Sequence, residues 1–200
     1  MAPRDALLKP HKGDALILVD VQNDFLPGGA LGVPEGDEVI PVLNKYSELF
    51  ENLGLPIVAT RDWHPEDHCS FEAQGGPWPP HCVAGTKGAA FATDLDLHGD
   101  TKVISKAETP DEEAYSGFQG TGLNQWLKER GVKRVFVGGL ATDYCVRETV
   151  RDGLVNGYEV VLLEDAVRAV NVEPDDGEKA VTAMEKDGAV KTDFEHLEAA

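Results

Sequence analysis

The 200-residue sequence contains no apolar run long enough to cross a bilayer as a helix. Met1 to Asp14 carries Pro, Lys and Asp where a secretory leader would carry its apolar centre, so the expected location is the cytoplasm, with no membrane partner. Basic residues are scarce: 18 Lys and Arg stand against 36 Asp and Glu, a formal charge of −18. Such a surface repels phosphate backbones and anionic lipid, which excludes nucleic acid as a partner. Cysteine is also rare, with Cys69, Cys82 and Cys145 alone. Three thiols cannot all pair and none forms a C-x-x-C motif, which argues against a disulfide scaffold or a dithiol redox centre. In a reducing compartment each thiol is inert, catalytic or metal-bound. Internal repeats and low-complexity tracts are absent.

What is present suits one globular domain spanning 1–200. The chain length supports a single core, and 42% of residues are apolar. Short β-rich apolar runs recur at Ala15 to Val19, Pro56 to Thr60, Lys102 to Ile104, Arg134 to Val137 and Glu159 to Leu163, with a last edge strand expected at Ala189 to Asp193. Helical spacing of apolar residues marks Val39 to Leu53 and Gly122 to Arg130, and Ala141 to Asn156 and Asp175 to Asp187 read as two further helices. Gly54, Gly131, Gly157 and Gly188 stand where glycines end helices. Strands alternating with helices predict a three-layer αβα domain with a mostly parallel central sheet. Residues 62–100 break the pattern with Pro65, Pro77, Pro79, Pro80 and Gly75-Gly76. Loops of this length are functional or disordered, and four histidines with Trp63, Phe71 and Trp78 favour a ligand-holding loop.

In a parallel sheet, chemistry collects at the carboxyl edge. The first predicted strand runs into Asp20, the second into Asp62-Trp63-His64, the third into Ser105-Lys106, and the fourth reaches Cys145 through Gly138 to Tyr144. Alone, Cys145 reads as a buried helix cysteine, and Asp20 or Lys106 as a strand-end cap or surface ion pair. Together they form a nucleophile, a proton shuttle and a cation that favours a thiolate at a helix start. Asp62, His64, His68 and His81 offer one carboxylate and three imidazoles to zinc, iron or manganese. Cys69 and Cys82 adjoin two of these histidines, but their expected role is packing.

These stretches carry a resemblance. Val19 to Phe25, Asp62-Trp63-His64, Trp78 to Thr86, Lys106, Ala114 to Phe118 and Gly139 to Arg147 resemble the nicotinamidases, or pyrazinamidases, of the isochorismatase-like cysteine hydrolases over about residues 14–190. The resemblance implies the isochorismatase-like hydrolase fold and a catalytic triad of Asp20, Lys106 and Cys145. It implies one divalent metal ion, zinc before iron or manganese, on Asp62, His64, His68 and His81, with His68 placed across a loop of variable length. It also implies a cis peptide between Leu140 and Ala141, with an oxyanion hole at the Ala141 and Cys145 amides. Phe25, Trp78, Tyr115 and Tyr144 could then wall a flat ring. The implied reaction takes nicotinamide, or pyrazinamide, to the acid and ammonia through a thioester; the alternative is a related amidase of another small amide or ureido compound. Self-association stays open.

Overall fold

The computed structural model describes residues 7–197. Six strands, β1 (Asp14–Val19), β2 (Ile57–Asp62), β3 (Lys102–Lys106), β4 (Arg134–Leu140), β5 (Glu159–Arg168) and β6 (Val190–Thr192), form one sheet in the order β3-β2-β1-β4-β5-β6. Every strand pair in it is parallel. The helices are α1 (Val39–Asn52), α2 (Leu123–Glu129), α3 (Arg147–Val155) and α4 (Asp176–Asp187).

A central strand covered on both faces should be apolar on both, and β1 is buried along its whole length. Leu16 and Leu18 point into one core with Leu43, Tyr46 and Phe50 of α1. Ala15, Ile17 and Val19 point into the other with Leu123, Leu127, Val150 and Met184 of α2, α3 and α4. This alternation produces the three layers expected of the sequence. Fully burying a side chain such as Leu43 or Phe50 stabilises the fold by about 1.5–3 kcal/mol.

Two expectations are corrected at strand and helix ends. β2 and β3 run farther than their apolar runs, ending at Asp62 and Lys106, which are direct partners in the ladder. Pairing with a neighbour carries the chain beyond the point where hydrophobicity fades. The helix expected over Ala141 to Asn156 is also not uniform. Ala141 is extended, Thr142–Val146 forms a wider turn closed by the Val146 N–H donating to the Ala141 carbonyl at 3.1 Å, and α3 starts only at Arg147. Gly139 allows β4 to lie tight against β1 beneath this turn: a Cβ there, at φ +126°, would meet the Val19 carbonyl at 2.1 Å.

Candidate active site

Four strand ends meet at the carboxyl edge. Asp20 follows β1 at φ +49°, a left-handed conformation unfavourable for a residue with a Cβ. Its backbone N–H donates to the Thr60 carbonyl at 3.1 Å, and its Oδ1 accepts the Thr60 hydroxyl at 2.7 Å. Lys106 closes β3 with its side chain wholly buried, and its Nζ lies 2.9 Å from Asp20 Oδ2. The same ammonium donates to Asp62 Oδ1, to the Ala114 carbonyl at 3.1 Å and to Cys145 Sγ at 3.5 Å. The contact to Asp20 Oδ2 is an ion pair without hydrogen-bond alignment, so that oxygen retains accepting capacity inside the protein. Ligand atoms of Asp20, Asp62 and Cys145 fall within 4.8 Å of one another.

Burial pushes the Cys145 thiol well above its ordinary value, and the Lys106 ammonium only partly opposes this. Burial thus favours the protonated thiol, and Lys106 is the neighbour that favours the thiolate. Burial likewise raises Asp20 despite Lys106, making it a stronger base than an ordinary carboxylate. Burial works against charge on Lys106, but Asp20 and then Asp62 outweigh it and hold the ammonium charged. Burial also works against the Asp62 carboxylate, where Lys106 and then His64 reverse it and leave the carboxyl below its usual value.

Beside this group stand Asp62, His64 and His81, whose ligand atoms lie within 4.8 Å of one another. His64 Nδ1 is 3.0 Å from the His81 carbonyl and His81 Nδ1 is 2.8 Å from the Pro79 carbonyl, an arrangement that directs each Nε2 inward. His64 Nε2 is buried without a hydrogen-bond partner. Burial lowers the His64 pKa to about 4, so its imidazole is neutral and able to coordinate. A buried orphan nitrogen beside a carboxylate and a second imidazole fits a divalent metal. His68 does not join this set: its nitrogens contact Ser70 Oγ at 2.7 Å and the Glu112 carbonyl at 3.1 Å, and it groups with His64 and Glu113 instead. Cys82 is buried and Cys69 partly exposed, both outside these metal-capable sets.

The side chains around these groups explain the Asp20 to Phe25 stretch. Gln22 Oε1 accepts from the Asp62 N–H at 2.8 Å, and its Nε2 donates to the Asp62 and Ala89 carbonyls at 2.8 and 2.9 Å. Asp24 Oδ2 accepts from the Cys82 N–H at 2.7 Å, holding the chain next to His81. The turn bearing Cys145 is anchored by buried Asp143, whose two oxygens accept the Val170 and Asn171 N–H groups at 2.9 and 2.8 Å.

A cavity of about 450 Å³, including its mouth, opens over Cys145, Ala141, Asp62 and His81. Phe25, Trp78, Tyr115 and Tyr144 all line it, as the sequence predicts. The Trp78 indole donates to the Tyr115 hydroxyl at 3.0 Å, while Tyr144 stands edge-on to Trp78 at 5.2 Å. Leu31, Val33, Glu113 and Val170 also line the cavity, and the sequence reading missed them. They lie on loops between elements and show no periodic or metal-spacing signal. The peptide bond joining Leu140 to Ala141 is cis, as the resemblance implies.

With this geometry in place, the profile of the Isochorismatase domain matches residues 14–196. The chain belongs to the isochorismatase family. Among curated relatives, the nicotinamidase of Escherichia coli (strain K12) is 39% identical, covering 88% of this chain and 92% of its own. The crystal structure of the pyrazinamidase of Pyrococcus horikoshii in complex with zinc is 54% identical with a TM-score of 0.88, covering 91% of this chain and 99% of its own. A protein from L. infantum in complex with nicotinate is 39% identical with a TM-score of 0.90, covering 98% of this chain and 100% of its own. This family member thus shares its sheet order and layers with proteins of closely similar length. Among the described residues no helix is long and apolar enough to cross a membrane.

Proposed function

We propose that this chain is a nicotinamidase, a cysteine amidohydrolase that converts nicotinamide to nicotinate and ammonia and also takes pyrazinamide. The observation that carries the reading is a buried thiol, carboxylate and ammonium converging under an aromatic cavity beside an Asp/His/His set. A divalent ion, zinc in this reading, would be held by Asp62, His64 and His81; when bound it supplies a Lewis-acidic point that accepts the ring nitrogen and orients the ring.

The chain's own residues then perform the chemistry. Trp78, Tyr115, Tyr144 and Phe25 sandwich the ring and exclude water, leaving the carboxamide over Cys145. Asp20 takes the thiol proton as sulfur attacks the amide carbon, and Lys106 offsets the negative charge that passes between them. The developing oxyanion is received by the Ala141 and Cys145 amides; one such donor is worth about 2.7–4 kcal/mol of barrier. Asp20 returns its proton to nitrogen, ammonia leaves, and a thioester remains on Cys145. Asp20 then draws a proton from water as it attacks the thioester and passes that proton to the departing sulfur, so the acid is released, the Cys145 thiol is restored and Asp20 is again a carboxylate.

Ammonia release from nicotinamide by the purified protein, with Cys145→Ala alongside, tests this reading. Release abolished in the variant is the expected result. Wild type that turns over a ureido substrate but leaves nicotinamide intact would replace it with the related amidase reading.

A further inference from the structure

We propose that Thr60 is a positioning residue for the reaction: its hydroxyl fixes the Asp20 carboxylate by Oδ1, so that Oδ2 alone takes the Cys145 proton and hands it on. The inference rests on the amidase reading above.

Thr60 holds Asp20 at two points. Its backbone carbonyl accepts the Asp20 N–H at 3.1 Å, extending the register in which Val19 stands opposite Thr60. Its hydroxyl donates to Asp20 Oδ1 at 2.7 Å. The first contact keeps the chain in the left-handed conformation of Asp20, at φ +49°. The second sets the plane of the carboxylate. The terminal torsion of an aspartate has no sharp preference of its own, so an outside partner must fix it.

The two Asp20 oxygens thereby differ. Lys106 Nζ carries three hydrogens, and aligned acceptors for them stand at Asp62 Oδ1, the Ala114 carbonyl and Cys145 Sγ. Asp20 Oδ2 lies 2.9 Å from that nitrogen as a counter-charge, buried and without a hydrogen bond. An Asp20 oxygen stands within 4.8 Å of Cys145 Sγ, and Oδ2 is the one left open to accept. One oxygen then receives the proton from sulfur and delivers it to the leaving nitrogen, while Oδ1 stays engaged. Without the hydroxyl the carboxylate is free to turn further toward the ammonium, whose charge stabilises it at the expense of its basicity.

Thr60 is itself held. It is wholly buried, and a β-branched residue has a restricted χ1. Gly117 packs on its methyl group: a Cβ at Gly117 would meet Thr60 Cγ2 at 2.8 Å, closer than real side chains approach. The Gly117 N–H donates to the Thr149 hydroxyl of α3 at 3.0 Å, which keeps this backbone against Thr60. The missing side chain at Gly117 therefore leaves room for the rotamer that aims the hydroxyl at Asp20.

The test compares variants of the purified full chain. Thr60→Val keeps the shape and the backbone contact and removes the donor. It is expected to lower kcat for nicotinamide about 10- to 100-fold, the scale of a reacting group misplaced by about 1 Å, with KM changed less than about 2-fold. Thr60→Ser restores the donor and should recover most of that loss. Gly117→Ala displaces the hydroxyl without removing it and should also lower kcat at nearly constant KM. Wild-type kcat in Thr60→Val, or in Gly117→Ala if Thr60→Val does not fold, would overturn the proposal. So would a Thr60→Ser variant as slow as Thr60→Val, because bulk and not the hydroxyl would then matter. Alkylation of Cys145 by iodoacetamide, located by mass spectrometry, needs no amide turnover. Its rate should fall in Thr60→Val and return in Thr60→Ser, and equal rates in wild type and Thr60→Val would also overturn the role of Thr60. A wild type that leaves nicotinamide intact would remove the substrate reading instead, and the alkylation rates would still decide this one.

Discussion

Gln22 pairs with Asp62 as a neighbouring strand would, its side-chain amide accepting from the Asp62 N–H and donating to the Asp62 carbonyl, both at 2.8 Å. The carboxylate next to Lys106 is thus aimed by a residue whose side-chain hydrogen bonds go to the backbone of Asp62 and Ala89. Gln22→Ala would leave buried backbone groups of Asp62 and Ala89 unsatisfied, each costing about 1–3 kcal/mol. The expected outcome is a lower urea midpoint with an unchanged slope, together with weaker zinc binding. A variant as stable as wild type would show that water substitutes for the amide.

Asp20→Asn keeps the shape of the side chain and removes its basicity. Turnover should fall at least 10³-fold while nicotinamide binding, measured by calorimetry, changes less than a few-fold. Retained turnover would assign proton transfer elsewhere.

The acid limb of activity follows from the direction of the Asp20 shift. Its carboxyl is raised by burial, so kcat/KM should decline on the acid side at a pH above the ordinary aspartate value of about 3.9. A rate profile flat down to that value would contradict Asp20 as the base.

Lys106→Met removes the cation shared by Asp20 and Asp62. Two buried carboxylates would then face each other without compensation, and breaking a buried pair in this way costs about 3–5 kcal/mol. Thermal unfolding of the variant measures the loss, which should shrink at acid pH as the carboxylates protonate.

Metal removal should act on substrate affinity before chemistry. A chelated enzyme is expected to show a raised KM for nicotinamide, restored by zinc, and an unchanged KM would exclude ring orientation by the ion. The metal-free protein should also lose stability between pH 6.5 and 4. His64 is neutral in the fold down to about 4, whereas its unfolded counterpart takes a proton near 6.5. The lowered folded value therefore stabilises the protein above 6.5, and that contribution, about 3 kcal/mol at most, is withdrawn as pH falls through the window. Denaturant melts at pH 7 and pH 4.5 with and without zinc read the difference.

The sheet was legible because β1, β2, β4 and β5 are buried on both faces and therefore appear as unbroken apolar runs. Helix stops at Gly131 and Gly188 were equally plain, since both adopt a positive φ that other residues resist. The catalytic trio was legible for a related reason: charged or reactive residues at the ends of buried strands need a purpose. The His68 contacts and the wide turn that carries Cys145 were hidden, because both depend on hydrogen bonds to residues that are ordinary in sequence, Glu112 and Ala141. Leu31, Val33 and Val170 reach the cavity from loops, where side-chain direction follows no period. The thiol's raised pKa also lay beyond spacing arguments, because it depends on how completely the neighbouring chains exclude water.

Asp143 joins the Cys145 turn to the segment that carries Val170. The turn that carries the attacking atom and one wall of the chamber above it are thereby tied to one side chain, so a bulkier ring that displaced the wall would pull on the sulfur's own support. Asp143→Ala is therefore expected to loosen the limit on ring size and the reactivity of the thiol together.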